Sequence, residues 1–183
     1  MLVHPTADRR LATEHWLLST LDGQRRSRAR LEWQEHGVTL LPLGTLFSAV
    51  RLPHRLVLAV AAETGGPSAD VDAFLDEALA GGPVICDPPG HRYYALVPAS
   101  MPTTWHKAVD EWRRADVDSL GRDTYLGVPR VDLTEFDRAT YATYWSVPMA
   151  SAAMLCPPLS VARLIAAGQH QLVSREAEEG GPE

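Results

Sequence analysis

Apolar side chains recur along the chain at two spacings, one typical of amphipathic helices and the other typical of buried strands. The helical spacing is clearest between Ser68 and Gly81, where apolar residues occupy positions i, i+3, i+4, i+7 and i+8. These residues are Val71, Phe74, Leu75, Ala78 and Leu79. Ser68 is placed to cap the helix, and Gly81 with Gly82 ends it. The pattern therefore predicts a helix that buries one face.

Short apolar runs between glycine or proline residues predict strands at residues 38–41, 47–52, 83–87, 91–97, 123–128 and 144–147. A turn at residues 42–44 predicts that the segment 47–52 is the hairpin partner of 38–41. A second turn, Pro88-Pro89-Gly90, predicts a hairpin of 83–87 with 91–97. Two hairpins are therefore expected in the sheet.

Further helices are expected at residues 6–21, 24–36 and 56–63, from residue 103 or 104 onwards, from 134 onwards, and at 157–168. Helices and strands thus alternate irregularly, which predicts an α+β fold, a single-domain sandwich of helices on a mixed or mostly antiparallel sheet. No linker divides the chain, so one domain is expected over residues 6–170. Residues 174–183 are rich in glutamate and glycine, and they are predicted to form an acidic disordered tail.

The composition excludes several classes of protein. With 183 residues, of which 45% are hydrophobic and 22% charged, the chain has the make-up of one folded domain. Its two cysteines, Cys86 and Cys156, lie too far apart in sequence for a disulfide framework or a paired-cysteine zinc site. The longest aliphatic run, residues 56–62, is much shorter than the ~20 residues of a membrane span, and the opening residues lack the pattern of a signal peptide. We therefore expect a cytoplasmic protein with no membrane partner.

The charge balance, 17 basic against 23 acidic residues, gives a net charge of −6 and argues against a broad nucleic-acid-binding face. Four arginines between residues 25 and 30 form a local basic cluster, for which a solvated helix face is the expected role. Charge alone therefore predicts no partner.

Two Asp-x-Asp pairs, Asp70/Asp72 and Asp116/Asp118, are candidates for metal-dependent catalysis, because carboxylates on one face of a strand can hold two divalent metals. Neither pair lies in a predicted strand. The first pair falls in the first turn of the helix after Ser68, where carboxylates interact favourably with the helix dipole, and the second is expected in a solvated loop. Signatures of zinc sites, serine hydrolases, P-loops and dinucleotide-binding folds are lacking. We therefore expect a structural role for both pairs.

The predicted strand 91–97 carries side chains that are candidates for ligand binding. By alternation Arg92 and Tyr94 share one face, while the opposite face, which begins with Tyr93, is expected to pack on the core. A guanidinium beside a phenol suits the pairing of a phosphate and the stacking of a base. Arg51 and Arg130 could join this surface from other strands. The alternative is a solvent-facing arginine and a tyrosine that packs under a helix.

Three segments together resemble the primase–polymerase (prim-pol) domain that is abundant in actinobacteria and is often described as a bifunctional DNA primase/polymerase. They are residues 37–44 (GVTLLPLG) with 47–53, residues 82–84 (GPV) through 94–98 (YALVP), and residues 123–129 (DTYLGVP). The resemblance follows the order and spacing of these segments from residue 10 to residue 168. It implies an α/β domain with an RRM-like catalytic half. Active members hold metal for nucleotide transfer with an Asp-x-Asp pair on a strand and with a histidine and an aspartate on neighbouring strands.

The matching strands of this chain lack those carboxylates. They contain Leu40-Leu41, Ser48-Ala49-Val50 and Val84-Ile85-Cys86, with Asp87 as the single acid at a strand end. Two metals cannot be clamped without two carboxylates, so the resemblance implies a catalytically degenerate member whose activity is not inherited from the fold.

The first hypothesis is therefore a non-catalytic, prim-pol-like binding or regulatory module that has no cofactor. Its ligand would be a nucleotide, a single-stranded nucleic acid or a partner protein, and the expected binding residues are Arg51, Arg92, Tyr94 and Arg130. The alternative is a metal-dependent nucleotidyltransferase, with Mg²⁺ or Mn²⁺ held by Asp87, His91 and one Asp-x-Asp pair. A second alternative is a protein–protein interaction module that works through oligomerisation.

Overall fold

The computed structural model describes residues 5–179 of the chain. The strands are β1 (Val38–Pro42), β2 (Phe47–Pro53), β3 (Val84–Asp87), β4 (Arg92–Pro98), β5 (Asp118–Leu120), β6 (Tyr125–Pro129) and β7 (Tyr144–Val147). The helices are α1 (Pro5–Leu18), α2 (Gly23–His36), α3 (His54–Val60), α4 (Ala69–Ala78), α5 (Met101–Thr104), α6 (His106–Trp112) and α7 (Pro158–Glu179). None of the helices in this described part is both long and apolar enough to cross a membrane.

Five strands form one sheet in the order β5-β2-β4-β3-β7, and each neighbouring pair is antiparallel. The remaining strands, β1 and β6, form a separate antiparallel pair, which we call the ribbon. This arrangement confirms the predicted α+β class, with helices on a mostly antiparallel sheet. The predicted hairpin of β3 and β4 is also present, with Cys86 opposite Tyr93.

One strand pairing differs from the prediction. The segment 47–52 is not the hairpin partner of 38–41, because β2 pairs with β4 and β5 whereas β1 pairs with β6. The turn between β1 and β2 passes the chain from the ribbon to the sheet. Gly44 has a φ of +87° there, and a Cβ at this position would lie 2.5 Å from the backbone nitrogen of Arg122. Glycine is therefore required where the chain crosses the loop that precedes β6.

The sheet separates two hydrophobic cores. On one side Val50, Leu52 and Tyr93 pack with α3, α4, α6 and α7, and we call this the helix-side core. On the other side Phe47 and Leu96 pack with α1, α2 and the ribbon, in what we call the ribbon-side core. The face of β4 that carries Arg92, Tyr94 and Leu96 is therefore covered along much of its length, and Leu96 is fully buried. The prediction of a single core face was wrong here because both faces of the sheet are covered.

Two further segments differ from expectation. Residues 131–143 form an irregular loop where a short helix was expected from Thr134. Within this loop the Asp137 carboxylate accepts hydrogen bonds from the Ala139 amide and the Thr140 hydroxyl, and such local bonds compete with helix formation. Helix α7 continues beyond Gly168, so residues 174–179 of the expected tail are helical and 180–183 lie outside the described residues.

Candidate functional site

The structure brings three of the predicted binding residues to one end of the sheet. Arg51 on β2 lies directly opposite Tyr94 on β4, and Arg92 is two residues before Tyr94 on the same face. The register also sets Asp118 of β5 opposite Arg51, and the two side chains form an ion pair. Arg92 pairs with Asp116 at 3.2 Å between Nη2 and Oδ2. We call these residues the sheet-end cluster.

Carboxylates balance the guanidinium groups of the sheet-end cluster. Asp118 was expected in a solvated loop but lies in β5, where its bond to Arg51 ties this three-residue edge strand to β2. Asp87 faces Arg92 across the β3–β4 pair. Burial, with a contribution from the Asp87 charge, raises the pKa of the Tyr94 phenol. Since both arginines already have acidic partners, the cluster links strands and offers no unpaired cation to a phosphate.

Arg130, the fourth predicted residue, lies just after β6 of the ribbon and outside the five-stranded sheet. Its guanidinium engages both carboxylate oxygens of Asp132, with 3.1 Å between Nη2 and Oδ2, and Nη1 donates to the Trp33 carbonyl oxygen. This pairing lowers the pKa of Asp132. Arg130 therefore anchors the end of β6 against α2.

A second site lies on the helix side of the sheet and was not anticipated from the sequence. Two cavities, of about 500 and 300 Å³, share Pro67, Phe136 and Arg138 in their walls and so lie side by side. We call them together the loop cleft, because residues 65–68 and the loop 131–143 supply much of the lining. The larger cavity also contains Asp72, Glu135 and Ser146. The smaller cavity also contains His54, Gly65, Gly66, Pro88, His91 and Tyr141.

The larger cavity is acidic. Asp72, in the first turn of α4, reaches across to β7, where its carboxylate accepts hydrogen bonds from the hydroxyl groups of Tyr144 and Ser146. The distance from the Tyr144 hydroxyl to Oδ1 is 3.0 Å. Burial raises the pKa of Asp72 to about 6, although both hydrogen bonds act in the opposite direction. Asp72 is therefore a half-buried acceptor group at neutral pH.

The smaller cavity is lined by imidazole and aromatic rings and by the guanidinium of Arg138. The imidazole of His54 is nearly buried, and its centroid lies 4.7 Å from that of Tyr93 and 5.5 Å from that of His91. Burial lowers the pKa of His54 to about 4, so this ring is neutral at pH 7. Behind it, Cys86 Sγ lies 3.8 Å from His54 Nε2, and burial raises the pKa of this thiol to about 12. The thiol is therefore protonated and a poor nucleophile.

Arg138 stands where the two cavities meet. Its side chain is exposed, and among the described side chains no carboxylate forms an ion pair with it. Phe136 lines the same two cavities as Arg138. The Phe136 ring packs edge-on against Tyr141, with 5.4 Å between the ring centroids. The cleft thus combines an unpaired guanidinium with aromatic walls and with the backbone of two consecutive glycines.

The ligands that the nucleotidyltransferase alternative requires do not converge. Within residues 5–179 no group of three or more histidine, cysteine, aspartate or glutamate side chains is arranged to hold a metal ion. Asp87 instead accepts a hydrogen bond from the Gly90 amide within its own turn, and Asp116 and Asp118 are paired with arginines.

Comparison with known proteins found no match for this chain among family models, curated proteins or solved structures. The prim-pol resemblance therefore stays a prediction.

Little in the local sequence could have revealed the loop cleft. The segment Thr64-Gly65-Gly66-Pro67-Ser68 is recognisable as a loop before a capped helix, and Ser68 Oγ does accept the Val71 amide as expected. What makes the segment a wall of a cavity is the loop 131–143, which lies more than 60 residues later in the chain.

Proposed function

We propose that this protein is a non-catalytic binding module whose ligand belongs to the nucleotide class and occupies the loop cleft. The observation that carries the proposal is the unpaired guanidinium of Arg138 beside the rings of Phe136 and Tyr141. An arginine without an acidic partner suits a phosphate, and aromatic side chains suit a planar base. The two cavities also have the size of ordinary small-ligand pockets.

The chemistry of the cleft supports binding rather than catalysis. The thiol of Cys86 is buried and protonated, and within the described residues no carboxylate is hydrogen-bonded to His54 to orient it as a base. Asp72 is occupied by two hydroxyl donors. The prim-pol scaffold and a regulatory role remain part of the proposal only through the resemblance of the sequence.

Thermal unfolding in the presence of nucleotides tests the proposal. A ligand of the folded state stabilises the protein by about 2.7 kcal/mol at a hundredfold excess over its Kd, which raises the melting temperature. We expect this shift with nucleotide alone, in the presence or absence of Mg²⁺ or Mn²⁺. Arg138→Ala should abolish the shift, because it removes the unpaired cation.

The matched control is Arg92→Ala with Tyr94→Ala, which removes the binding residues predicted in the sheet-end cluster. This double variant should keep the shift. If it loses the shift while Arg138→Ala keeps it, the ligand lies on the sheet-end cluster and the loop cleft is wrong. A shift that requires both nucleotide and metal would favour the nucleotidyltransferase alternative.

The oligomerisation alternative has one observation in its favour. The outer face of the ribbon is apolar, since Leu40 and Tyr125 are more than half exposed and Pro42 lies opposite Tyr125. A mass equal to that of one chain in light scattering would contradict this alternative.

A further inference from the structure

Another cavity, on the ribbon side of the sheet, differs in composition from the loop cleft. It lies between α1, the loop 131–143 and residues 148–150, and its volume is about 280 Å³. We call it the α1 pocket. Among the described residues it shares only Thr134 with the loop cleft, so the α1 pocket is a separate site.

The face of α1 that borders this pocket is polar. The lining residues that α1 supplies are spaced i, i+3, i+4 and i+7 and therefore share one face of the helix. They are Thr6, Arg9, Arg10 and Thr13. Leu17 continues the same face and is fully buried in the ribbon-side core. A helix that only packs on a core carries apolar side chains along that whole face, so the polar half of this face indicates another contact.

Two guanidinium groups give the α1 pocket a positive charge. Among the described side chains, no carboxylate lines the pocket or forms an ion pair with Arg9 or Arg10. Glu14 lines a neighbouring groove with Arg10, and the Arg10 charge also reaches Asp132, but each of these acids is paired with another arginine. Arg9 and Arg10 therefore have free donors, whose fork geometry matches a carboxylate or a phosphate.

The remaining wall of the pocket is mostly apolar. Val131, Trp145 and Met149 line it, and Trp145 and Met149 belong to the ribbon-side core. An inorganic anion would leave this apolar surface in contact with water, whereas an anion with an apolar body would cover it.

The hydroxyl group of Thr13 lacks a partner. Its Oγ1 is buried and makes no hydrogen bond within residues 5–179, although a threonine inside a helix can donate to the carbonyl four residues earlier. A buried polar group without a partner costs free energy. A ligand oxygen at this end of the pocket would supply the missing acceptor.

We infer that the α1 pocket binds an organic anion, a carboxylate or a phosphate monoester with a short apolar body. Arg9 and Arg10 hold the anionic head group, one head-group oxygen accepts from Thr13, and the apolar body lies against Trp145 and Met149. This site goes beyond the proposed function, because it does not contain Arg138.

Titration calorimetry at pH 7.5 and low salt tests the inference on the unmodified protein, with octanoate and octyl phosphate as probes. We expect one of them to bind at a single site, and the tighter one identifies the head group. Acetate and inorganic phosphate should bind at least about tenfold more weakly than the octyl compounds, because they cover no apolar surface. Absence of binding by both octyl compounds, or equally tight binding of octylamine, would overturn the inference.

Arg9→Gln with Arg10→Gln should weaken the tighter probe at least about tenfold, since charge-assisted hydrogen bonds are lost. The matched control is Arg25→Gln with Arg28→Gln, which removes the same charge from exposed positions of α2 outside the pocket. This control should bind as the parent does. Equal affinities of the two double variants would overturn the inference, because net charge rather than the pocket would then determine binding.

Two single variants complete the test. Thr13→Val keeps the shape of the side chain and removes the hydroxyl, so it should weaken binding without lowering the melting temperature of the free protein. Unchanged affinity in Thr13→Val would overturn the contact with Thr13. Arg138→Ala, which removes the cation of the loop cleft, should leave the affinity for the octyl compounds unchanged. If Arg138→Ala abolished their binding, the anion would lie in the loop cleft and the α1 pocket would be wrong.

Discussion

Asp70 and Asp72 are two positions apart in the first turn of α4, yet their environments differ. Residues separated by two positions do not share a helix face, so Asp70 is exposed to solvent while Asp72 turns towards β7. The sequence predicted the helix turn correctly, and with it a favourable position for both acids near the helix dipole. The hydroxyl partners of Asp72 are more than 70 residues away and could not be read from that turn.

The raised pKa of Asp72 predicts a pH-dependent stability. Because the folded-state pKa, about 6, lies above the unfolded value of 3.8, this group stabilises the protein when protonated, and that stability is lost as the pH rises from 3.8 through 6. The Asp72→Asn substitution removes this loss of stability with rising pH, because the asparagine does not ionise. The variant should therefore gain melting temperature relative to the parent between pH 4 and pH 6, with no further gain above pH 7.

Thermal unfolding of both proteins from pH 4 to pH 8 measures this difference, and Asp70→Asn should show no comparable trend. A difference between Asp72→Asn and the parent that stays constant over this range would contradict the assignment.

At the scale of elements, the contact between α3 and α7 depends on one small residue. Gly168 lies in α7 against α3, and a Cβ there would meet Leu56 Cγ at 2.5 Å and the Leu56 carbonyl oxygen at 3.1 Å. The sequence predicted that the helix ends at this glycine, since glycine is common at helix ends. In the structure the glycine instead allows close packing in the middle of a long helix.

Gly168→Ala should therefore destabilise the protein by about 1–3 kcal/mol, because overpacking outweighs the gain of about 1 kcal/mol from the better helix propensity of alanine. Urea denaturation measures this change. The control is Gly23→Ala in the first turn of α2, where a Cβ meets no atom within 4 Å and stability should be unchanged or slightly higher. Equal stability of the two variants would show that α7 shifts to accommodate the methyl group.

At the scale of the whole molecule, the two cores share the strands of one sheet. Neighbouring residues of β2, such as Ala49 and Val50, and of β4, such as Ala95 and Leu96, belong to opposite cores. If one core unfolds, the shared strands lose packing contacts on one face, and the core on the opposite face depends on the same strands. We expect both cores to unfold in a single transition.

Tryptophan positions allow a direct test. Trp105 and Trp112 belong to the helix-side core, so in a variant with both replaced by phenylalanine the fluorescence comes from the tryptophans that pack in or against the ribbon-side core, Trp16, Trp33 and Trp145. The urea unfolding curve measured by this fluorescence should coincide with the curve measured by far-ultraviolet circular dichroism, which reports on all the helices. Two separate midpoints would contradict the shared-sheet interpretation.

Interactions between residues close in sequence explain what could be predicted. The Ser68 cap, the α4 helix and the β3–β4 hairpin follow from hydrogen bonds and side-chain spacings that span few residues, and the structure confirms them. The α+β class follows from the same local patterns, because each predicted element has an apolar face that must be covered.

Contacts between distant segments decided the rest. The pairing of β1 with β6 rather than β2, the ion pair of Arg51 with Asp118, and the hydrogen bonds of Asp72 to β7 each join residues more than 60 positions apart. Whether such groups meet depends on how the cores pack, and no spacing along the chain encodes that choice. The loop cleft exists for the same reason, since its walls come from separate loops that only the folded sheet brings together.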